Sequence, residues 1–399
     1  MRTVDAAGLS IGDDHPTRIM GVLNVSKESP YKPSVYNDPG AAAEYVDEAL
    51  IEEGADIVDV GLESANKRLD VLSAEDELDR LDTAIETIQS VSGDAVFSIE
   101  TRYHEVAEAA LDRGFDMVND ICGFADPEMP RVCEEYDVAV AKMASPPDLE
   151  RPGAVEDVDW SARRADGRER SGSYADDIYE ALSLNGFTDK TIVDPAFGGW
   201  SEAKTLDDDR ETFRRLREFR GHGRPILVSI NRKNFLRDLA GRDTERALPV
   251  SLAATAMAVE RGAHVVRTHD VAETRDAAIV GDAFTPARLR DEEAGVEELD
   301  ARTPAEVRRH LDRIGAPADI DHAARATTRV FELSGLTERD RATLTAPPVG
   351  AGFAPGSETG AGVLYGTPAA LRSVVREVDG SERLQAALAG IEDALEDAE

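Results

Sequence analysis

The sequence from residue 18 to about 284 alternates eight times between a short apolar run and an amphipathic stretch with helical spacing. The first pair is RIMGVLNVS (18–26) followed by AAAEYVDEALIEEGA (41–55), and the last is HVVRTHD (264–270) followed by VAETRDAAIVGDAF (271–284). Continuous apolar runs of this length are typical of parallel strands that are buried on both faces. Eight such units predict an α/β fold, the (β/α)8 TIM barrel.

The chain is longer than one barrel, so we expect three parts. Residues 1–17 form an N-terminal extension, residues 18–284 form the barrel, and residues 285–399 form a smaller, mainly helical C-terminal unit. The regular alternation of strand and helix stops in this last part. We expect it to be a structural cap or a dimerisation module, and we expect the protein to be a homodimer.

The C-terminal unit has its own predicted elements. The segments RTPAEVRRHLDRIG (302–315) and HAARATTRVFELSG (322–335) are predicted to be helices, and TAPPVGAGFAPGSETGAGV (345–363) is predicted to be a turn region because it is rich in Pro and Gly. Two further helices are predicted after residue 366. No chemistry is assigned to this unit, because its glycine-rich stretch lacks the strand and helix that flank a phosphate-binding loop.

The charge and the apolar content indicate the environment of the protein. A formal net charge of −35 with acidic residues spread along the chain opposes nucleic acid binding, and it resembles the composition of proteins from salt-accumulating haloarchaea. No apolar run approaches the roughly 20 residues that cross a membrane, and the start does not read as a secretory signal, so we expect a cytoplasmic protein with no membrane partner. Cys122 and Cys133 are predicted to be buried free thiols.

Polar side chains follow each of the eight apolar runs. Active sites of TIM barrels lie where the strands end, at the carboxyl face of the barrel, so this pattern predicts an active site there. The polar residues at these ends are Asn24, Glu63, Ser64, Glu100, Asn119, Asp120, Lys142, Asp194, Asn231, Arg232, Lys233, Arg267, His269 and Asp270.

Glu100, Asn119 and Asp194 offer acceptors that suit a planar heterocycle with an amidine-like edge. Two N–H donors on such an edge can pair with one carboxylate, and purines and pterins both carry this edge. Lys142 is open to two interpretations, since it either binds substrate or extends its stem along apolar surface.

Arg267, His269 and Asn24 come from the adjacent eighth and first strands, where the barrel closes. A guanidinium matches phosphate geometry, so the three predict an anion site, with Asn24 as ligand of a metal or a phosphate oxygen. A diphosphate leaving group with Mg²⁺ fits this site. Lys233 can reach either the ring or the nucleophile. The alternative for Arg267 and His269 is a structural ion pair with Asp270.

Seven motifs, in this order, resemble those of the dihydropteroate synthases, the pterin-binding barrel enzymes of folate synthesis: MGVLNVS, DVGLES, SIET, VNDICGFADPEM, DPAFGG, NRKNFL and VRTHDV. The resemblance covers residues 18 to 284. It implies condensation of 6-hydroxymethyl-7,8-dihydropterin diphosphate with 4-aminobenzoate, with Mg²⁺, to give 7,8-dihydropteroate and diphosphate.

By the same resemblance, seven positions have expected roles. Lys233, Asp194 and Arg267 are expected to be catalytic. Glu100, Asn119, Asp194 and Lys233 are expected to bind the pterin, Asn24, Arg267 and His269 to bind diphosphate, and Asn24 to bind the metal.

The sequence departs from the family pattern at the first two loops and at the third strand. Asn24 is followed by VSKESPYKPS, Ala65, Asn66 and Lys67 replace the usual Thr, Arg and Pro, and Glu100 stands where Asp is usual. Because these loops help to build the 4-aminobenzoate pocket in the family, two alternatives stay open. One is a paralogue that binds a pterin without acting as a synthase, and the other is a pterin-dependent methyltransferase domain. Lys27 and Lys32 are predicted to assist in neutralising the leaving group.

Overall fold

The computed structural model describes residues 1–26, 32–63, 71–145, 173–198, 204–291, 294, 296–316, 320–356 and 360–396. These residues form two compact units, Met1–Ala287 and Arg288–Glu399. Ser64, Ala65, Asn66, Lys67 and Lys27 lie outside the described residues, as does the side chain of Lys32.

The first unit begins with an antiparallel hairpin of β1 (Val4–Ala6) and β2 (Leu9–Ile11). The buried side chains of Val4, Ala6 and Ile11 pack with the first inward-facing residues of the barrel strands. The hairpin therefore closes the amino-terminal end of the barrel, opposite the predicted active site.

Eight parallel strands follow and form one sheet, in the order β8-β7-β6-β5-β4-β3-β10-β9. A parallel bridge between Val193 and Ile226 joins the two ends of this order and closes the ring. The predicted (β/α)8 barrel is thereby confirmed. The strands are β3 (Arg18–Asn24), β4 (Ile57–Gly61), β5 (Val96–Thr101), β6 (Met117–Asp120), β7 (Ala139–Met143), β8 (Thr191–Asp194), β9 (Leu227–Val228) and β10 (Val265–Thr268).

Helices follow the strands around the barrel. A capping box of Ser73 and Asp76 begins α2, and Thr205 with Asp208 begins α6 in the same way. A π-helical turn, Val46–Ile51, extends α1. The helices are α1 (Pro39–Tyr45), α2 (Ala74–Ser90), α3 (His104–Leu111), α4 (Met129–Glu135), α5 (Tyr174–Ser183), α6 (Leu206–Arg214), α7 (Asn234–Ala240), α8 (Leu248–Glu260) and α9 (Val271–Phe284).

Alternation along the strands decides which side chains enter the barrel. Met20, Ile57, Val96, Met117, Ile192 and Val265 pack together at the barrel floor. Since successive strand residues point to opposite faces, residues two or four positions further along face the interior as well. These inward positions are Asn24, Asp59, Glu100, Asn119, Asp194 and Arg267.

The second unit contains a sheet as well as helices. Two predictions were wrong here: 322–335 contains strand β13 instead of one helix, and 345–363 contains strand β14 and the start of β15. The residues that pair with β13 lie 29 to 37 positions further along the chain, so local spacing carried no sign of the pairing. The elements are β11 (Arg290–Asp291), β12 (Val296–Glu297), α10 (Pro304–Arg313), α11 (Ile320–Ala323), β13 (Arg329–Leu333), α12 (Glu338–Leu344), β14 (Ala351–Pro355), β15 (Gly362–Gly366), α13 (Pro368–Glu377) and α14 (Glu382–Glu396).

Two further predictions concern the cysteines and the lack of membrane-spanning segments. Cys122 and Cys133 are buried free thiols, as expected. Among the helices that the structure describes, each is too short or too polar to cross a membrane.

Candidate active site

Arg267 lies in the barrel interior at the centre of a hydrogen-bonded group of four side chains. Its Nε donates to Asp59 Oδ2 at 2.7 Å, and its Nη2 donates to Glu100 Oε2 at 2.5 Å. Asn119 Nδ2 donates to the same oxygen of Asp59 at 2.9 Å. Asp59 is fully buried and Asn119 nearly so, which shields these contacts from water. Glu100 and Asn119, predicted to bind a ring, thus share one group with Arg267, predicted to bind an anion.

Two carboxylates share the Arg267 guanidinium. Burial raises the pKa of Glu100, the cation of Arg267 opposes this, and the carboxylate of Asp59 raises the pKa further. Burial acts to lower the pKa of Arg267, but Glu100 and Asp59 raise it overall. The guanidinium is therefore held in its charged form, and it carries N–H donors beyond the two that these carboxylates accept.

Asp194 and Lys233 lie at the same end of the barrel. Burial raises the pKa of Asp194 to about 6, although a hydrogen bond from the backbone N–H of Ala196 and the cation of Lys233 act to lower it. Burial and the cation of Arg267 lower the pKa of Lys233. Gly198 has a φ of +110°, and a Cβ there would stand 3.0 Å from Lys233 Nζ, so the ammonium lies directly over this glycine. An acceptor and a cation are thereby placed near the group centred on Arg267.

Asn24 ends strand β3 beside the same group. Its Nδ2 donates to Ser34 Oγ at 3.0 Å, which turns Oδ1 the other way. A Cβ at Gly61 would lie 3.1 Å from Asn24 Oδ1 and 3.5 Å from Glu100 Oε1. The missing side chain of Gly61 thus leaves room between two oxygen atoms, and oxygen ligands with room for water and phosphate are what Mg²⁺ requires.

His269 follows strand β10, two residues after Arg267. Burial and the cation of Arg267 lower the pKa of His269 to about 3, so its imidazole is neutral near pH 7. Asp270 does not pair with Arg267. It accepts two hydrogen bonds of 2.8 Å from Arg232 and one of 2.9 Å from Asn231. The alternative that Arg267 serves as a structural partner of Asp270 is therefore wrong, and Asn231 and Arg232 brace the turn after β9.

Comparisons with known proteins identify the family of this chain. The family described as "Pterin binding enzyme" matches residues 20–269, more than half of the chain. A dihydropteroate synthase of Streptococcus pyogenes is 32% identical over 262 residues, which are 65% of this chain and 92% of that protein. The chain belongs to the dihydropteroate synthase family.

Two further members of the dihydropteroate synthase family extend the comparison. A dihydropteroate synthase of Coxiella burnetii, solved in complex with pteroic acid, has a TM-score of 0.56 and 26% identity, and the match covers 70% of this chain and 98% of that one. A probable bifunctional folylpolyglutamate synthase/dihydropteroate synthase of Haloferax volcanii is 35% identical over 270 residues, which are 65% of this chain. The match spans only 30% of that longer relative.

Lys142 and Asp120 point away from the barrel interior. Lys142 is fully buried, and its Nζ donates to the carbonyl oxygens of Leu182 at 3.0 Å and Gly186 at 2.7 Å. Asp120 accepts a hydrogen bond of 2.6 Å from Phe124 N. Lys142 therefore holds the chain after α5, and the interpretation that it binds substrate is wrong. Both residues occupy strand positions next to inward-facing ones, which places them on the outer face.

Glu63 is committed to a buried ion pair at the end of β4. Its Oε2 accepts from Arg102 Nη1 at 2.5 Å, and its Oε1 accepts from Leu72 N at 2.8 Å. Arg102 Nη2 donates to Leu72 O at 2.6 Å, and Glu77 lies 3.7 Å from Arg102. Glu63, which was predicted to lie at the rim, thus ties the end of β4 to Leu72 instead of facing the mouth of the barrel.

The sequence interpretation missed two parts of the site. Asp59 was overlooked although it is an acidic residue at an inward position of the apolar run DIVDVGL, a signal that strand alternation makes visible. The second part is a buried ion pair of 2.6 Å between Lys204 and Asp209. Lys204 also donates to Ala196 O at 3.0 Å, close to Asp194. No local sequence pattern indicates this ion pair, because the residues around it look like an ordinary N-terminal cap of helix α6.

Proposed function

We propose that this protein is a dihydropteroate synthase, which condenses 6-hydroxymethyl-7,8-dihydropterin diphosphate with 4-aminobenzoate to give 7,8-dihydropteroate and diphosphate. One observation carries the proposal. Arg267, Glu100, Asn119 and Asp59 form a hydrogen-bonded group inside the barrel, with Asp194 and Lys233 at the same end. A site with acceptors and cations side by side suits a substrate that is both an N–H-rich ring and an anion.

The pterin ring would be held by Asp194, Asn119, Glu100 and Lys233. The Asp194 carboxylate can accept two parallel N–H donors from an aminopyrimidine edge, which is a charge-assisted, bidentate pairing. Lys233 can donate to the ring acceptors. Because these groups are buried, each hydrogen bond is stronger than it would be in water.

The diphosphate would be held by Arg267, His269 and Asn24. Arg267 supplies positive charge and further N–H donors, and the neutral imidazole of His269 supplies one more donor. Mg²⁺ would be held by Asn24 Oδ1 with the phosphate oxygens, in the room left by Gly61. The metal, when bound, supplies additional positive charge for the leaving diphosphate.

The reaction breaks the bond between the pterin methylene carbon and the diphosphate oxygen and forms a bond from this carbon to the amine nitrogen of 4-aminobenzoate, which loses a proton. The electron-rich dihydropterin ring stabilises the carbon as the diphosphate departs. Asp194 and Asn119 keep the ring fixed during this step, while Arg267 and Lys233 offset the charge that develops on the leaving oxygen.

An assay in concentrated KCl with the pterin diphosphate, Mg²⁺ and 4-aminobenzoate tests the proposal, with diphosphate and dihydropteroate measured in parallel. We expect both products in equal amounts. Diphosphate without dihydropteroate, or tight pterin binding without either product, would identify the non-synthase paralogue instead.

We propose a cytoplasmic, salt-adapted homodimer, on the basis of the net charge of −35 and the extra C-terminal unit. Sedimentation in concentrated KCl measures the subunit number directly.

Pterin binding should weaken in acid. The Asp194 carboxyl has a pKa raised to about 6 by burial, and it must be ionised to accept two N–H donors. The dissociation constant of 6-hydroxymethyl-7,8-dihydropterin should therefore be flat above about pH 7 and rise about tenfold per pH unit well below pH 6. Fluorescence titration between pH 4.5 and 7.5, with circular dichroism at each pH, measures this. The ligand lacks phosphate, so no phosphate group titrates in this range.

The control is Asp194→Asn, which should bind more weakly and without this pH dependence. A wild-type dissociation constant that stays constant down to pH 5 would contradict the role given to Asp194.

A further inference from the structure

Asp59 is a fully buried acidic residue within the apolar strand β4. An ionised carboxylate costs several kcal/mol to bury unless opposite charge and hydrogen bonds offset the loss of water. Its neighbours Val58 and Val60 pack in the hydrophobic core between barrel and helices, whereas Asp59 faces the barrel interior. The position therefore has to be explained by the groups that Asp59 contacts inside the barrel.

One oxygen of Asp59 joins two residues of the proposed substrate site. Asp59 Oδ2 accepts from Arg267 Nε at 2.7 Å and from Asn119 Nδ2 at 2.9 Å. Arg267 in turn donates a hydrogen bond from its Nη2 to Glu100. Asp59 thus connects the residue proposed to hold diphosphate with the residues proposed to hold the ring.

The contact with Asn119 decides what that amide offers to a ligand. A buried carboxylate beside a guanidinium is acceptor-only, so the amide must present its NH₂ group to Asp59. The carbonyl oxygen of Asn119 is then directed away from Asp59. An amide oriented in this way offers an acceptor, which matches the N–H donors of an aminopyrimidine ring.

The second oxygen of Asp59 has a different environment. Asp59 Oδ1 is buried and has no hydrogen-bond partner among the residues that the structure describes. Among the described residues, Asp59 therefore acts through Oδ2 alone, on Arg267 and Asn119.

We propose that Asp59 is a positioning residue for pterin recognition, which orients the Asn119 amide so that its carbonyl oxygen serves as an acceptor and which holds the Arg267 guanidinium beside it. The inference rests on the proposed function. Asp59 does not itself touch the substrate; it acts through Asn119 and Arg267.

The first variant is Asp59→Leu, which has no acceptor for Arg267 Nε or Asn119 Nδ2. The Asn119 amide is then no longer held with its carbonyl oxygen toward the ring, and Arg267 loses one of its two carboxylate partners. Binding of the pterin diphosphate should weaken about 30- to 100-fold. The KM for 4-aminobenzoate should change less than about threefold, whereas general damage to the fold would change both.

The second variant is Asp59→Asn, which keeps one oxygen. Because a single oxygen of Asp59 accepts from both Arg267 and Asn119, the amide oxygen at position 59 can keep both hydrogen bonds, with its NH₂ group in the place of Oδ1. We expect this variant to bind the pterin diphosphate at least about tenfold more tightly than Asp59→Leu. If Asp59→Leu does not fold, Asp59→Ala replaces it, with the same expected loss.

Binding is measured by pterin fluorescence in concentrated KCl, with the Tm of each variant recorded alongside. The inference is overturned if Asp59→Leu, or Asp59→Ala in its place, binds within threefold of wild type, or if Asp59→Asn folds but binds no more tightly than that variant. Failure of the wild type to bind the pterin diphosphate at all would instead overturn the proposed function, and the inference with it.

Discussion

Replacing Asp194 with asparagine is expected to lower kcat/KM for the pterin diphosphate about 100-fold. Asp194 is nearly fully buried at the end of β8, so its carboxylate is proposed to accept two N–H groups of the ring away from water. A hydrogen bond to a charged group contributes about 1.5 to 3 kcal/mol, and the asparagine would leave one ring donor facing its own NH₂ group. Steady-state kinetics in concentrated KCl measure the effect.

Asp120→Asn is the matched control for this prediction. Asp120 also ends a barrel strand, is also buried, and also has a pKa raised to about 6 by burial, but it lies on the outer face and accepts from backbone N–H groups. Provided that circular dichroism shows a folded variant, its kcat/KM should stay within about fivefold of wild type. An Asp194→Asn enzyme that retains more than a tenth of wild-type kcat/KM would argue against the ring-binding role.

Replacing Arg102 with methionine is expected to lower the free energy of unfolding by about 3 to 5 kcal/mol. The change leaves Glu63 and Glu77 without their cation in a buried setting and removes a donor from Leu72 O. Burial raises the pKa of Glu77 to about 7, although the hydrogen bond from Thr101 and the cation of Arg102 act to lower it. Removing Arg102 therefore makes the ionised form of Glu77 still less favourable. Urea denaturation at one fixed KCl concentration measures the change.

Arg113→Met serves as the comparison for Arg102→Met. Arg113 pairs with Asp82 at 2.8 Å, but both side chains are largely exposed, and exposed pairs contribute about 0 to 1 kcal/mol. The two variants should therefore differ clearly in urea midpoint. Equal stability of both would mean that the Glu63 and Glu77 network is unimportant for folding.

Much of the barrel could be predicted because its signal is local. A strand buried on both faces reads as an apolar run, and a helix that covers it reads as an amphipathic stretch, so each βα unit is visible in its own 30 or so residues. The C-terminal sheet was missed for the opposite reason. Strand β13 pairs with β15, and the two are separated by α12 and β14, so neither segment alone carries the pairing.

The candidate site was predicted in part. The strand ends led to Asn24, Glu100, Asn119, Asp194 and Arg267, all of which enter the barrel interior. The same reasoning also selected Asp120, Lys142 and Glu63, which are used elsewhere. Proximity to a strand end was not enough to separate the two groups. Asp120 and Lys142 are each one position away from an inward-facing residue, so they point toward the helices. Glu63 lies beyond the end of β4, where it pairs with Arg102.

The sequence by itself determined the barrel, the family and the end of the barrel at which the site lies, since apolar period and motif order are properties of neighbouring residues. Only the tertiary structure decided which polar groups meet. Asp59 is separated from Asn119 by 60 residues and from Arg267 by 208, and Arg267 is separated from Glu100 by 167. Closure of the barrel brings these residues within hydrogen-bond distance, and because an unpaired buried charge is costly, the charged groups there are stable only as partners of one another.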